Sequence, residues 1–357
     1  MSRNRELEAA ILADRDARAP YEVYADWLLH EGDLRGELIH VQLALEANQT
    51  PALVAREQEL LGTLDLADAS MLKWLTREPR WQWRRGFLDA ITVPHCYQDT
   101  ETAYAYRHLA DQPVAAVMRE VTLGTGVFHH SYTGADDVSI LEALRDAPLP
   151  IERLTFSSFD NDISWTRMGA LAIAQLQGVK FLQIEAGVFS LGEVDLPELR
   201  SFAMITGGLR AQVLHELVAA TWPALTSLTV YLGVEDYGLD FTVDECVKIL
   251  DRGTFPKLDT LGVCNANDTD ELVRAVASSK LMKRVKTLDL SNGTMSERGA
   301  RWMMAHAGAF AHLDKIDLAG NFLGREIRAE LRATLPSCVA DHQRDERDGE
   351  RYPVVTD

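Results

Sequence analysis

Cysteine is scarce in this chain. It holds four, Cys96, Cys246, Cys264 and Cys338, and no two are spaced as CxxC. A disulfide framework or a structural zinc site is therefore not expected; reduced, mostly buried thiols are. Long apolar runs are missing as well. No stretch reaches the roughly 18 consecutive apolar residues of a membrane-spanning helix, and the charged opening MSRNRELEAAILADRD has no signal-peptide core. Positive charge is short: 36 Lys and Arg against 54 Asp and Glu leave −18 over 357 residues. Such a balance lacks the basic footprint that nucleic acid and anionic membrane surfaces demand, so neither is an expected partner; the reduced thiols are what make a cytoplasmic location the expectation. The charge that is present makes a self-repelling, soluble chain. Apolar residues make up 46% of it, enough for a core and too many for global disorder.

Motifs of chemistry are absent too. Gly124 and Gly126 stand outside any complete G-x-G-x-x-G, and no Walker-type loop or G-x-S-x-G elbow occurs. His215-Glu216 is not followed by the x-x-His of a zinc protease. Asp160 and Asp162 begin like a calcium loop, but Trp165 stands where glycine is needed and Leu171 where glutamate is. His129 and His130, with Tyr132, Asp136 and Asp137, read as a solvated loop, because adjacent side chains diverge and no spacing fixes a third ligand. Cys264, beside Asn265 and Asn267, has no histidine near it in sequence to act as base, and reads as a packed thiol at a strand turn. No catalytic residue, metal ligand or cofactor is assigned. Trp27, Trp74, Trp81 and Trp83 read as core packing rather than a ligand cage.

What the chain does have is periodicity, of two kinds. Residues 1–80 read as an all-helical module. Helical stripes run over 5–13, over 21–29 after Pro20, over 36–47 with Leu38, Ile39, Gln42 and Leu43, and over about 52–61, with more helix near 71–75. Beyond residue 85, short apolar-x-apolar triplets recur. They begin at Ile91, Val121, Leu154, Leu182, Phe202, Leu228, Leu261, Leu288 and Ile316, spaced by 20 to 33 residues and mostly near 28. One strand and one helix per copy cannot bury their apolar sides alone. Stacked copies can, with the strands in one parallel sheet and the helices outside it. The connectors carry capping pairs, Ser139/Glu142, Thr242/Glu245 and Asp268/Glu271. Helical stripes follow at Leu171, Ala174 and Leu176 and at Leu214, Leu217 and Val218, whereas the short connector 187–195 reads as helix-free.

The last two copies, 285–292 (VKTLDLSN) and 313–321 (LDKIDLAGN), approach L-x-x-L-x-L-x-x-N. They resemble the ribonuclease-inhibitor class of leucine-rich repeats, over about residues 85–335. That resemblance implies an α/β solenoid, a leucine-rich repeat horseshoe with its parallel sheet on the concave face, binding protein partners there and on the edge loops. In such a pattern the Asn satisfies backbone groups where the strand turns. The stretch 24–39 (YADWLLHEGDLRGELI), with Gln42 following, is similar to a bacterial repeat-companion domain found before leucine-rich repeats in myxobacteria and planctomycetes. Residues 81–88 (WQWRRGFL) resemble the linker such proteins carry. The preponderance of arginine over lysine, 28 to 8, hints at a bacterial source. The expected domains are a helical module over 1–80, a repeat solenoid over 81–340 and a flexible charged tail over 341–357.

Alternation in the strands sets the candidate site. With the triplet's outer residues buried, the residues between and after them face the inner curve. These include Thr155, Gln183, Glu185, Ile205, Thr229, Tyr231, Asp289 and Asp317. Glu185, Asp289 and Asp317 make the curve acidic, and Tyr231 and Ile205 add exposed bulk near its middle, a protein-binding pattern. The leading expectation is a non-enzymatic scaffold for a protein with a basic patch. A regulator of a small GTPase, by analogy with related repeats, is a second. An enzyme with a site near Arg84, Arg85, His95 and Tyr97 is a third.

Overall fold

Four helices open the chain in the computed structural model, which describes residues 1–64, 80–93, 99–124, 126–127, 138–158 and 163–355. They are α1 (Arg5–Ala13), α2 (Ala19–His30), α3 (Arg35–Ala47) and α4 (Pro51–Thr63). Three of them, α1, α2 and α4, start where the sequence provides a cap or a proline. Asn4 accepts from the amides of Glu6 and Leu7, Thr50 accepts from Leu53, and proline sits in the first turn of α2 and of α4. Gly32, at φ 74°, ends the α2 turn. The helix expected near 71–75 and Trp74 lie outside the described residues.

The chain divides into two units, Met1–Gly124 with Ser139–Leu154, and Thr125–Val138 with Thr155–Asp357. In the first, the helices are followed by β1 (Arg80–Arg84), β2 (Phe87–Val93), α5 (Asp99–Ala110), β3 (Glu120–Gly124) and α6 (Ser139–Asp146). β1 pairs antiparallel with β2 through a two-residue turn, and β2 pairs parallel with β3. The turn residues Arg85 and Gly86 both have positive φ, 49° and 77°, as a tight hairpin requires. A Cβ on Gly86 would meet Ile39 Cγ1 at 2.4 Å, and the Gly86 amide donates to Gln42 Oε1. Two hydrophobic clusters bind the helices and strands of this unit. Ile11, Tyr24, Leu28 and Leu43 pack with Phe87 and Val117, and Trp83 packs on Leu38, Val41 and Leu60.

The triplets at Ile91 and Val121 lie on β2 and β3 of the first unit, and the second unit carries those from Leu182 onward. After β4 (Gly126–Val127), its strands are the end of β5 (Arg153–Ser157), then β6 (Thr166–Ala170), β7 (Phe181–Glu185), β8 (Val188–Ser190), β9 (Ser201–Ile205), β10 (Ser227–Gly233), β11 (Thr260–Ala266), β12 (Thr287–Asp289), β13 (Lys315–Asp317) and β14 (Cys338–Val339). Helices α7 (Ala211–Ala219), α8 (Val243–Leu250), α9 (Thr269–Ser278), α10 (Glu297–Ala305) and α11 (Arg325–Thr334) connect the later strands. β5, β7, β9, β10, β11, β12, β13 and β14 lie in chain order in one open sheet. From β7 onward every pairing in it is parallel. Register is what makes the triplets equivalent: Leu182 lies against Phe202, then Leu228, Leu261, Leu288 and Ile316 in one row. Each is at most 2% exposed. Burying a leucine-sized side chain contributes about 1.5–3 kcal/mol, so such a row is the main cohesive element of the unit.

The stripe at Leu171, Ala174 and Leu176 does not become an α-helix. It becomes one 3₁₀ turn, Leu171–Ala174, directly after β6, and Gln175 ends it at φ 46°. β6 instead joins β4 and β8 in a small second sheet, antiparallel to the first and parallel to the second. In the turn itself the Ala172 amide donates to Leu191 O, and a helical stripe this short does not sustain an α-helix against such a contact. The 187–195 connector is helix-free, as its length predicts. Among the capping pairs, Thr242 and Glu245 form a full capping box, whereas Asp268 makes no side-chain cap to α9. The charged tail makes defined contacts. Residues 341–355 are tied to the loops after β11, β12 and β13 rather than free in solvent. No helix among the described residues is long and apolar enough to cross a membrane.

Candidate functional site

The helix-free face of the second unit's sheet collects the residues that alternation selects. One row runs Gln183, Ala203, Thr229, Gly262, Asp289, Asp317; two residues on, Glu185 lies against Ile205 and Tyr231 against Cys264. Thr155 lies on β5 and is half-buried like the other seven candidates. Ile205 and Tyr231 are thus half-buried, less prominent than the sequence implies. Gly262 is small for a reason: a Cβ there would meet the Thr229 side chain at 2.9 Å.

Three polar groupings form on this face. Glu185 accepts from Ser157 Oγ at 2.6 Å, from the Ser158 amide at 3.1 Å and from Gln183 Nε2 at 2.7 Å. Asp289 and Asp317 are direct cross-strand neighbours. Each also accepts from a backbone amide two residues on, Ser291 and Ala319, which fixes the strand exit. Lys315 Nζ donates to Asp317 at 2.9 Å, and that carboxylate raises the lysine's affinity for its proton. Between these groups stands Tyr231. Its phenolic oxygen accepts from Asn292 Nδ2 at 3.0 Å, across the intervening strand. Burial, with the nearby Cys264, Asp289 and Glu185, pushes its pKa up to about 12, against the Asn292 hydrogen bond. The phenol stays protonated at neutral pH and keeps a donor for a ligand.

Asn292 was expected to satisfy backbone groups at its strand turn. It does not. It takes a left-handed conformation, φ 63°, and turns its amide to Tyr231. The pattern position falls one residue later, at Gly293, where a Cβ would lie 2.2 Å from Thr269 Oγ1. Thr269 does the work instead, donating to Ala266 O and accepting from the Thr294 amide. Asn321 fits the pattern fully. Its side chain is buried, donates to Leu290 O and Leu318 O, and accepts from the Met295 amide.

Other candidates resolve into structure. Cys264 is buried, bonded to Asp289 O and Ser291 Oγ, and burial raises its pKa far above the ordinary thiol value, so it is not a thiolate. Glu216, of the His-Glu pair, caps the Leu191 and Gly192 amides. Arg85 is bidentate to Glu46 and donates to Asp16 O and Ala17 O, while Arg84 pairs with Asp16. His95, Tyr97, His129, His130, Tyr132, Asp136, Asp137, Asp160, Asp162 and Cys96 lie outside the described residues. A cleft of about 360 Å³ that sequence reasoning missed lies between the 3₁₀ turn and residues 193–198, rimmed by Glu193, Asp195 and Glu198. Also missed was a column of left-handed residues at strand exits, Asn265, Asn292 and Gly320. Its 27- and 28-residue spacing was the available signal.

No family model matches the chain, and no curated protein does. Solved structures do resemble it. A crystal structure of a Bacteroides fragilis protein has a TM-score of 0.62 and 23% identity, over 85% of this chain and 86% of that one. At that identity the likeness is one of fold. The fold that this chain shares is α/β, built on a long, open and mostly parallel sheet.

Proposed function

We propose that the chain is a leucine-rich-repeat solenoid of the ribonuclease-inhibitor type, a cytoplasmic scaffold without catalytic activity. Its helical module is of the repeat-companion type, and it binds a protein carrying a basic patch through the helix-free sheet face and the adjoining loops. The observation that carries this reading is the composition of that face. Tyr231, half-buried and protonated, stands among three carboxylates held on a rigid, register-locked sheet. An aromatic anchor with a desolvated hydroxyl gives contact area at low entropic cost, and surrounding acids steer and select a basic partner. The same side chains lack what turnover needs: the thiol on the face is buried and protonated, and the carboxylates are committed to backbone amides. Tyr231→Ala combined with Asp289→Arg is expected to abolish co-purification of the partner while moving Tm by no more than a few degrees. Retention of the partner by this double variant would show that the face is not the binding surface, and turnover of a small molecule by the purified chain would overturn the scaffold reading.

A further inference from the structure

The C-terminal residues 344–355 lie along the loops that follow β13, β12 and β11, and the way they are held is informative. The Asn265 side chain accepts from the Val355 amide and donates to the Val355 carbonyl, both at 2.9 Å. It thus reads both main-chain groups of one residue and ignores its side chain. The next residue of the column, Asn292, accepts from the Val354 amide through its own carbonyl at 3.1 Å. Two arginines complete the attachment. Arg344 donates to Gly320 O and to Gly293 O, each at 2.7 Å, and lies 4.6 Å over the Phe322 ring. Arg351 donates to Thr294 O at 3.2 Å. Little apolar surface is committed: residues 345–350, Tyr352 and Val354 are exposed, and only Pro353 is buried. A segment held by main-chain and arginine contacts with so small an apolar share belongs to the easily opened part of a fold. It sits beside the proposed binding face, because the Asn292 that receives it also holds Tyr231.

We propose that this segment is an internal competitor. It fills in cis a groove whose ligand is an extended, arginine-bearing peptide segment of the protein partner, and the partner displaces it. The inference rests on the scaffold reading and specifies the partner's chemistry. Asn265 supplies sequence-independent capture of extended backbone, and the strand-exit carbonyls supply the preference for arginine. Release of the segment exposes the Asn265 side chain and the Asn292 carbonyl, the latter on the residue that holds Tyr231.

The test uses full-length protein and a labelled synthetic peptide with the sequence of residues 341–357. In Arg344→Ala with Arg351→Ala the segment loses its arginine contacts. This variant is expected to bind the peptide roughly tenfold or more tightly than the unaltered chain, because the internal competitor is weakened. Adding Asn265→Gly, which keeps the left-handed backbone, is expected to cancel the gain. Equal binding by the unaltered and released chains, or no effect of Asn265→Gly, would overturn the proposal. Hydrogen exchange on the unaltered chain gives a second reading. The Val354 and Val355 amides are expected to exchange about 100-fold or more faster than the Leu290 amide, bonded in the sheet to Asp317 O. Exchange of all three at one rate would mean a permanently fixed segment and also overturn it. If light scattering shows the released variant to be a dimer, the occupant is a second copy, and the partner assignment fails. None of these measurements depends on Tyr231 or Asp289 variants. Loss of the face reading with intact peptide capture, and the reverse, are therefore distinguishable.

Discussion

At the scale of single residues, the asparagines divide by backbone conformation. Asn321 is buried and saturates three main-chain groups, so Asn321→Ala strands buried carbonyls and an amide. It is expected to cost at least about 2 kcal/mol in urea unfolding. Asn292→Gly keeps the left-handed turn and loses the bond to the Tyr231 phenol and a long one, 3.4 Å, to Ser291 Oγ, so about 1 kcal/mol is expected. Leu288→Ala empties a position in the central row and should cost about 2–5 kcal/mol. Tyr231 also makes stability depend on alkaline pH. Its folded pKa, about 12, is raised above the ordinary tyrosine value. The stability linked to its protonated form is therefore complete below about pH 10 and is lost as pH rises through the folded value. Tyr231→Phe is expected to flatten that part of the alkaline decline, read as urea midpoint against pH.

At the scale of elements, local signals succeeded where one element satisfied its own backbone. The Thr242–Glu245 box is realised, so Thr242→Ala should cost about 1 kcal/mol. Asp268→Ala, where the expected side-chain cap is not made, should cost a few tenths at most. The stripe at Leu171, Ala174 and Leu176 failed because its start is tied outside itself: it follows β6 directly, the Ala172 amide donates to Leu191 O, and Gln175 turns left-handed after a single 3₁₀ turn. Apolar spacing over six residues fits a helix turn as well as a buried strand and its exit, and only pairing decides between them. The hairpin at Arg85 and Gly86 lies between these cases. A glycine after two arginines suggests a turn, but the contacts that fix it, to Gln42, Glu46 and Ile39, come from α3.

At the scale of the whole molecule, the net charge of −18 has two opposite consequences. Added salt screens self-repulsion, so Tm is expected to rise between low and physiological ionic strength, by scanning calorimetry. The same screening weakens steering toward the acidic face, so the association rate with a basic partner is expected to fall. The sequence alone determined that apolar triplets recur, that they form parallel strands, and which side chains share the open face. Alternation and period are properties of consecutive residues, and burial of one side of a strand needs no further information. The tertiary structure alone decided that Asn292 serves Tyr231, that a single 3₁₀ turn stands where a helical stripe was read, and that the charged tail is bound. Those contacts join residues 61 positions apart, as Tyr231 and Asn292 are, or 90 apart, as Asn265 and Val355 are. A hydrogen bond over such a separation leaves no local pattern, because what brings its partners together is the stacking of everything between them.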